Sequence, residues 1–317
     1  MKLHHQRSNP GSGFKYAVLA ALAVGVAACG GPRSWDDADD GDPTDGDTTS
    51  ADAETEMTAD ESSSDTSRGP GPGADAGMQV FLLFGQSNME GVPDPEAEDL
   101  VENERVQVLG YDSGCLGRQW NEWAVAKPPL HRCWTGVGPG DSFGKAMAEA
   151  WPDATIGLVP AAISGVDIDF FRKGVVSSRR DEFEIPPDDE RDGAYEMLLE
   201  RAQLAQESGT IRGILFHQGE SDTGQSAWVG KVAEIVADLR ADLGLGEDVP
   251  FIAGELMYSG CCSSHNRIIS RLPDEIPNAH VVSADGLGAH DEYHFDLEGM
   301  RTLGLRYADA MLDALDE

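Results

Sequence analysis

Basic residues are scarce in this chain of 317 residues: 23 Lys and Arg stand against 57 Asp and Glu, a formal net charge of −34. A field of that sign repels phosphate backbones and anionic lipid surfaces, which excludes nucleic acid as a partner and favours a neutral ligand. Apolar runs of membrane-spanning length are absent too. The run from Ala17 to Ala28 holds twelve residues, too few to cross a bilayer. Cysteine is limited to five positions, and their spacing does not match a zinc site, so no metal is expected.

What the amino terminus does contain is Lys2, Arg7 and Lys15 ahead of that apolar run, which ends at Cys29. A basic start, a short apolar core and small residues make a secretory signal, to be set apart from the fold. The tetrad Val26-Ala27-Ala28-Cys29 resembles the lipobox of bacterial lipoproteins. That resemblance implies residues 1–29 as a lipoprotein signal, Cys29 as the lipid attachment point, and an exported protein whose membrane contact is its lipid anchor. Residues 30–77 are Asp, Gly, Ser, Thr and Pro, with fourteen acidic residues against two arginines. Such a segment buries too little apolar surface to offset its ordering entropy and is expected to be a disordered acidic tether.

The 240 residues from 78 to 317 suit one α/β domain. Four of the cysteines lie there. We expect Cys115 to pair with Cys133 across an irregular loop, worth about 3 kcal/mol, leaving Cys261 and Cys262 as an adjacent pair or each crossing to the other loop.

The chain is organised around Met78 to Gly91. Val80 to Phe84 are five apolar residues in a row, the pattern of a strand covered on both faces. The run then stops at Gly85-Gln86-Ser87-Asn88. In open α/β sheets ligands sit beyond the carboxyl ends of the strands, which makes Ser87 a candidate nucleophile. The bland alternative is a strand-to-helix turn with Ser or Asn as cap.

Further strands are expected at 106–109, 155–159, 211–216, 251–256 and 279–283. Helices are expected from a cap at Asp141 or Ser142 to Trp151, and over 194–208, 226–243 and 297–315. The last carries Met300, Leu303, Leu305, Tyr307, Met311 and Leu312. Residues 111–139 hold Trp120, Trp123 and Trp134 among glycines and prolines and read as a long surface loop, with at least two of these rings buried and any other free to stack on a ligand. Strands alternating with helices predict a three-layer α/β/α sandwich around a parallel sheet of about five strands. The loops after Phe84, Val159 and Phe216 should then meet at one sheet edge.

A serine nucleophile needs a base, and the base needs a group that fixes its tautomer. Asp291 and His294, three residues apart before the final helix, can supply both. Glu220 is a second acid able to partner His294 or to brace its loop, and the local geometry of Asp291 favours the latter residue as partner. Gly165, in a small-residue loop after a strand, allows the close backbone approach that an oxyanion donor requires.

The ordered blocks GQSNMEG, GVGPGDSFG, GLVPAAISG, FHQGESD and DEYHFDLEG resemble the sialate O-acetylesterase and acetylxylan esterase branch of the SGNH hydrolases, carbohydrate esterase family 6. The resemblance implies a flavodoxin-like α/β/α domain that hydrolyses acetyl esters of carbohydrate without metal or organic cofactor. It implies Ser87 as nucleophile, His294 as base, Asp291 as its orienting carboxylate, and an oxyanion hole made of the Ser87 and Gly165 N–H groups with the Gln218 side chain. The chain departs from that pattern at Ser164-Gly165-Val166-Asp167, where a glycine is lost and a charge gained near the expected pocket. Two other readings share these residues: an esterase for lipid or general acyl chains on the same scaffold, and a surface carbohydrate-binding module whose catalytic apparatus is vestigial.

Overall fold

The computed structural model describes residues 77–185 and 192–316. The expected signal, Cys29 and the acidic tether as far as residue 76 lie outside the described residues. Seven strands form one sheet in the order β3-β2-β4-β1-β5-β6-β7. These are β1 (Met78–Gly85), β2 (Val106–Leu109), β3 (Trp123–Val125), β4 (Thr155–Pro160), β5 (Gly209–His217), β6 (Phe251–Gly254) and β7 (Ala279–Val282). All neighbours run parallel except β2 and β3. The sheet is therefore mixed and larger than the parallel sheet of about five strands expected. β3 was hidden because three residues inside a loop rich in Trp, Gly and Pro carry no periodic signal.

β1 sits in the centre, and its alternation explains why an unbroken apolar run was needed. Successive side chains point to opposite faces. Val80, Leu82 and Phe84 enter one core, while Phe81 and Leu83 enter the other. The first core is closed by α3 (Tyr195–Gln206) and α4 (Trp228–Leu243). The second is closed by α2 (Pro139–Ala150) and α5 (Leu297–Asp316). On α5 the buried residues Met300, Leu303, Tyr307 and Met311 follow the helical spacing of three and four. Leu305 is out of phase with them and half exposed.

α2 starts one turn earlier than expected. Its N-cap is Gly138 with Pro139 in the first turn, and Asp141 lies inside the helix, paired with Lys145. Proline at that position forfeits only an N–H that would be unpaired anyway. The short helix α1 (Ser87–Glu90) follows β1 directly. Two glycines make room for it. At Gly85 (φ +137°) a Cβ would lie 2.1 Å from the His217 carbonyl oxygen, and at Gly91 (φ +103°) one would lie 2.5 Å from that of Gly136. The backbone can approach so closely only without a side chain.

The loop from 111 to 139 buries part of Trp120 and Trp123 against the first core, whereas Trp134 stays exposed. Its expected disulfide is absent: Cys115 and Cys133 are free thiols, and the disulfide joins Cys261 to Cys262. Polar staples hold the loop instead. The Cys133 N–H donates to Asp112 at 3.1 Å, and Arg118 donates to the carbonyls of Lys127 and Pro129 at 3.0 and 2.5 Å. Partial burial, the neighbouring Cys115 thiol and the Asp112 carboxylate push the Cys133 thiol up to about 12, which keeps it protonated and slow to oxidise. Arg201 of α3 is fully buried and donates to the carbonyls of Leu109, Gly110 and Pro160 and to Asn121, tying the ends of β2 and β4 together.

Candidate active site

The loops after β1, β4 and β5 meet at one edge of the sheet, stitched by backbone contacts. The Ile163 N–H donates to Gly85 O (3.0 Å) and the Gln86 N–H to His217 O (2.9 Å). The Ser221 hydroxyl donates to Gly165 O (2.9 Å). β1 is flanked by β4 and β5, so the chain leaves it at the position where the connections diverge and a crevice opens.

Ser87 stands there as the first residue of α1. Its Oγ lies 2.9 Å from His294 Nε2, across 207 positions of sequence. On the other side of the ring, His294 Nδ1 lies 2.8 and 2.9 Å from the two Asp291 carboxylate oxygens. A carboxylate only accepts, so Nδ1 carries the proton and Nε2 is left to accept from the Ser87 hydroxyl. Burial works to raise the Asp291 carboxyl, but hydrogen bonds from the His294 ring and from the N–H groups of Tyr293 and His294 hold it below the usual carboxylate range. It is thus an anion placed to hold the tautomer and to stabilise an imidazolium.

Among the described residues no acceptor engages the backbone N–H of Ser87 or of Gly165. The Gly165 loop is fixed from behind by Glu90, whose carboxylate accepts from the Ser164 N–H at 2.8 Å and from the Ser164 hydroxyl. Burial raises the Glu90 carboxyl above its ordinary value despite these bonds and the nearby Arg132. Asp167, the added charge in this loop, caps a short turn at Asp169 N and accepts from Ser177.

Gln218 does not take the place expected of it. Its Nε2 donates to Asp222 (2.5 Å) and Val166 O (3.3 Å), and its Oε1 accepts from Trp228 Nε1 (2.6 Å). Both amide hydrogens are committed to buried partners, which leaves none for an oxyanion. The residue braces the β5 loop against α4.

Glu220 does not partner His294. It is buried and accepts from Asn88 Nδ2 at 2.5 Å. Asn88 was missed by sequence reasoning as more than a turn residue, yet it holds the turn that carries His294 in place. Its Nδ2 also donates to Tyr293 O (3.0 Å), and its Oδ1 accepts from the Phe295 N–H (3.3 Å). The residue after Ser87 therefore grips both chain neighbours of His294. Only the side-chain type, an amide able to donate and accept at once, hinted at this in sequence.

Burial pushes the Glu220 carboxyl up to about 7, with the Asn88 bond offsetting only part of the cost. Its Oε2 has no partner, and the equally unpartnered His217 Nδ1 is 3.9 Å from its Oε1. Below the unfolded value of 4.5 both folded and unfolded chains hold the proton. Between there and about 7 only the unfolded chain releases it, so this group lowers stability by about 3 kcal/mol as pH rises through that window. Glu220→Gln keeps an acceptor for Asn88 and removes the titration. It is expected to match the parent near pH 4.5 and to exceed it by about 3 kcal/mol at pH 8 in urea unfolding. An equal difference at both pH values would contradict a carboxyl buried in its protonated form.

Among the described residues no group of three or more His, Cys, Asp or Glu is arranged to hold a metal ion.

Comparison with known proteins agrees with this architecture. A family model described as "Carbohydrate esterase, sialic acid-specific acetylesterase" matches residues 77–313. A probable carbohydrate esterase of Arabidopsis thaliana is 27% identical over 266 residues, spanning 74% of this chain and 90% of that one. The crystal structure of an Arabidopsis thaliana protein superposes with a TM-score of 0.61 at 26% identity, covering 75% of this chain and 98% of that one. The structure of NanS, at 18% identity, shares the fold with a TM-score of 0.58 over 75% of this chain and 97% of that one. The matched region takes in every block that meets at the crevice, and the protein belongs to the carbohydrate esterase family of sialic acid-specific acetylesterases, as a carboxylic ester hydrolase.

Proposed function

We propose that the protein is a serine esterase that removes O-acetyl groups from carbohydrate, with Ser87 as nucleophile, His294 as base and then acid, and Asp291 as the carboxylate that orients it. The observation that carries this reading is the 2.9 Å contact of Ser87 Oγ with His294 Nε2, backed by Asp291 on the opposite nitrogen. Ser87 Oγ attacks the acetyl carbonyl carbon while its proton passes to Nε2. The charge that gathers on the carbonyl oxygen is met by the N–H groups of Ser87 and Gly165, donors that need no reorganisation during the reaction. The tetrahedral intermediate collapses, the bond to the sugar oxygen breaks, and that oxygen takes the proton from Nε2. Water then attacks the acetyl-serine, giving its proton to Nε2, and acetate leaves as the Ser87 hydroxyl is restored.

The family description points first to O-acetylated sialate as substrate, with acetylated xylan as the alternative. Acetate release should be measured on both, together with hydrolysis of acetyl, butyryl and octanoyl nitrophenyl esters. The expected result is release from at least one acetylated carbohydrate and a rate that falls by tenfold or more from acetyl to octanoyl, about 1.4 kcal/mol of discrimination. Preference for the octanoyl ester would replace this reading with a lipid esterase. Binding of a glycan without acetate release would replace it with a binding module.

A further inference from the structure

The backbone around Tyr293 is pinned on every side, yet its side chain is 49% exposed. The Tyr293 N–H donates to Asp291 (2.7 Å) and its carbonyl accepts from Asn88 (3.0 Å). The preceding carbonyl, Glu292 O, accepts from the Cys261 N–H (3.1 Å), next to the disulfide. His290 N–H closes the turn onto His294 O at 2.8 Å. Among the described residues nothing pairs with the Tyr293 hydroxyl. An exposed aromatic ring normally costs apolar hydration, and fixing its backbone costs entropy. Here both are accepted at one position of the turn that carries the base.

The direction of the ring gives this a use. Neighbouring residues in extended chain point their side chains to opposite sides. The Tyr293 and His294 ring centroids are instead 6.2 Å apart with planes inclined by 57°, so both rings lie on the same side of the turn. Whatever alcohol leaves the ester must receive its proton from His294 Nε2, on an imidazole whose centre is 6.2 Å from that of the Tyr293 ring. A carbohydrate offers the alcohol as a pyranose whose C–H face is apolar, a surface that packs on an aromatic face, while the free phenol hydroxyl can meet a ring hydroxyl.

We propose that Tyr293 is a specificity-determining platform for the sugar ring of the leaving alcohol, an inference that rests on the acetylesterase reading. Its test compares a mono-O-acetylated methyl pyranoside with ethyl acetate, whose leaving group has no ring. In the full-length protein, Tyr293→Ala is expected to lower the ratio of kcat/KM for the pyranoside to that for ethyl acetate by about tenfold, mainly through KM. Tyr293→Phe, which keeps the ring, should hold that ratio within about threefold of the parent. Thermal unfolding of both variants should match the parent, because the side chain is on the surface. A ratio left unchanged by Tyr293→Ala overturns the platform while leaving the esterase reading intact. A parent protein that hydrolyses neither ester overturns both.

Discussion

Replacing Ser87 by alanine is expected to reduce kcat for acetyl ester hydrolysis by about ten-thousandfold or more, with little change in thermal unfolding. The size of the effect follows from what the hydroxyl does. Without Oγ no acyl-enzyme forms, and His294 has no proton to accept from the chain. What remains is attack by water, aided by the N–H groups of Ser87 and Gly165, which act through the backbone and survive the substitution. Members of such a unit fail together rather than additively. The double variant Ser87→Ala with His294→Ala should therefore be nearly as active as Ser87→Ala alone. The fold should be indifferent, because the side chain is small, contributes one contact, and sits at the rim of the crevice rather than in either core. Steady-state kinetics on a nitrophenyl acetate substrate, with thermal unfolding alongside, checks both halves. Retention of more than a tenth of the parent kcat would remove Ser87 from the mechanism.

Much of this arrangement was legible in the residues because two signals are local and strong. A five-residue apolar run must be covered on both faces, which places Val80 to Phe84 inside a sheet, and β1 is indeed its central strand. Small and polar residues directly after such runs mark the strand ends where a crevice forms, which places Ser87 and Gly165 near each other. Asp291 and His294 are three apart, so their contact is almost a property of the turn.

The failures at the site are questions of direction or of distance along the chain. Gln218 lies in the right loop, but its amide turns inward because Asp222 and Trp228, four and ten residues later, supply better-matched partners there. Nothing in a linear pattern reveals that Asn88 grips residues 205 and 207 positions away. Cys115 and Cys133 are close, as the loop length suggests, but closeness does not decide oxidation. The amino-terminal reading stands on residues 1–77 of the sequence alone.

The second large effect separates two carboxylates that the sequence could only rank. Asp291→Asn is expected to lower kcat by about a thousandfold to ten-thousandfold, because the amide can donate toward Nδ1 and so favour the tautomer whose proton sits on Nε2, where the Ser87 proton must go. Glu220→Gln, by contrast, should leave kcat within about threefold of the parent, since Gln retains the oxygen that accepts from Asn88 and Glu220 touches neither Ser87 nor His294. The comparison is controlled by chemistry: each change replaces one carboxylate oxygen by NH2 in a carboxyl group at the crevice. The environments differ. Asp291 is held as an anion by three donors around it, whereas burial favours a proton on Glu220. A carboxylate 2.8 Å from the ring nitrogen can stabilise the imidazolium formed as Ser87 attacks, and one that bonds Asn88 rather than His294 contributes far less. Equal losses in the two variants at pH 8, or a larger loss in Glu220→Gln, would transfer the orienting role to Glu220 and require the turn from 290 to 295 to move before reaction.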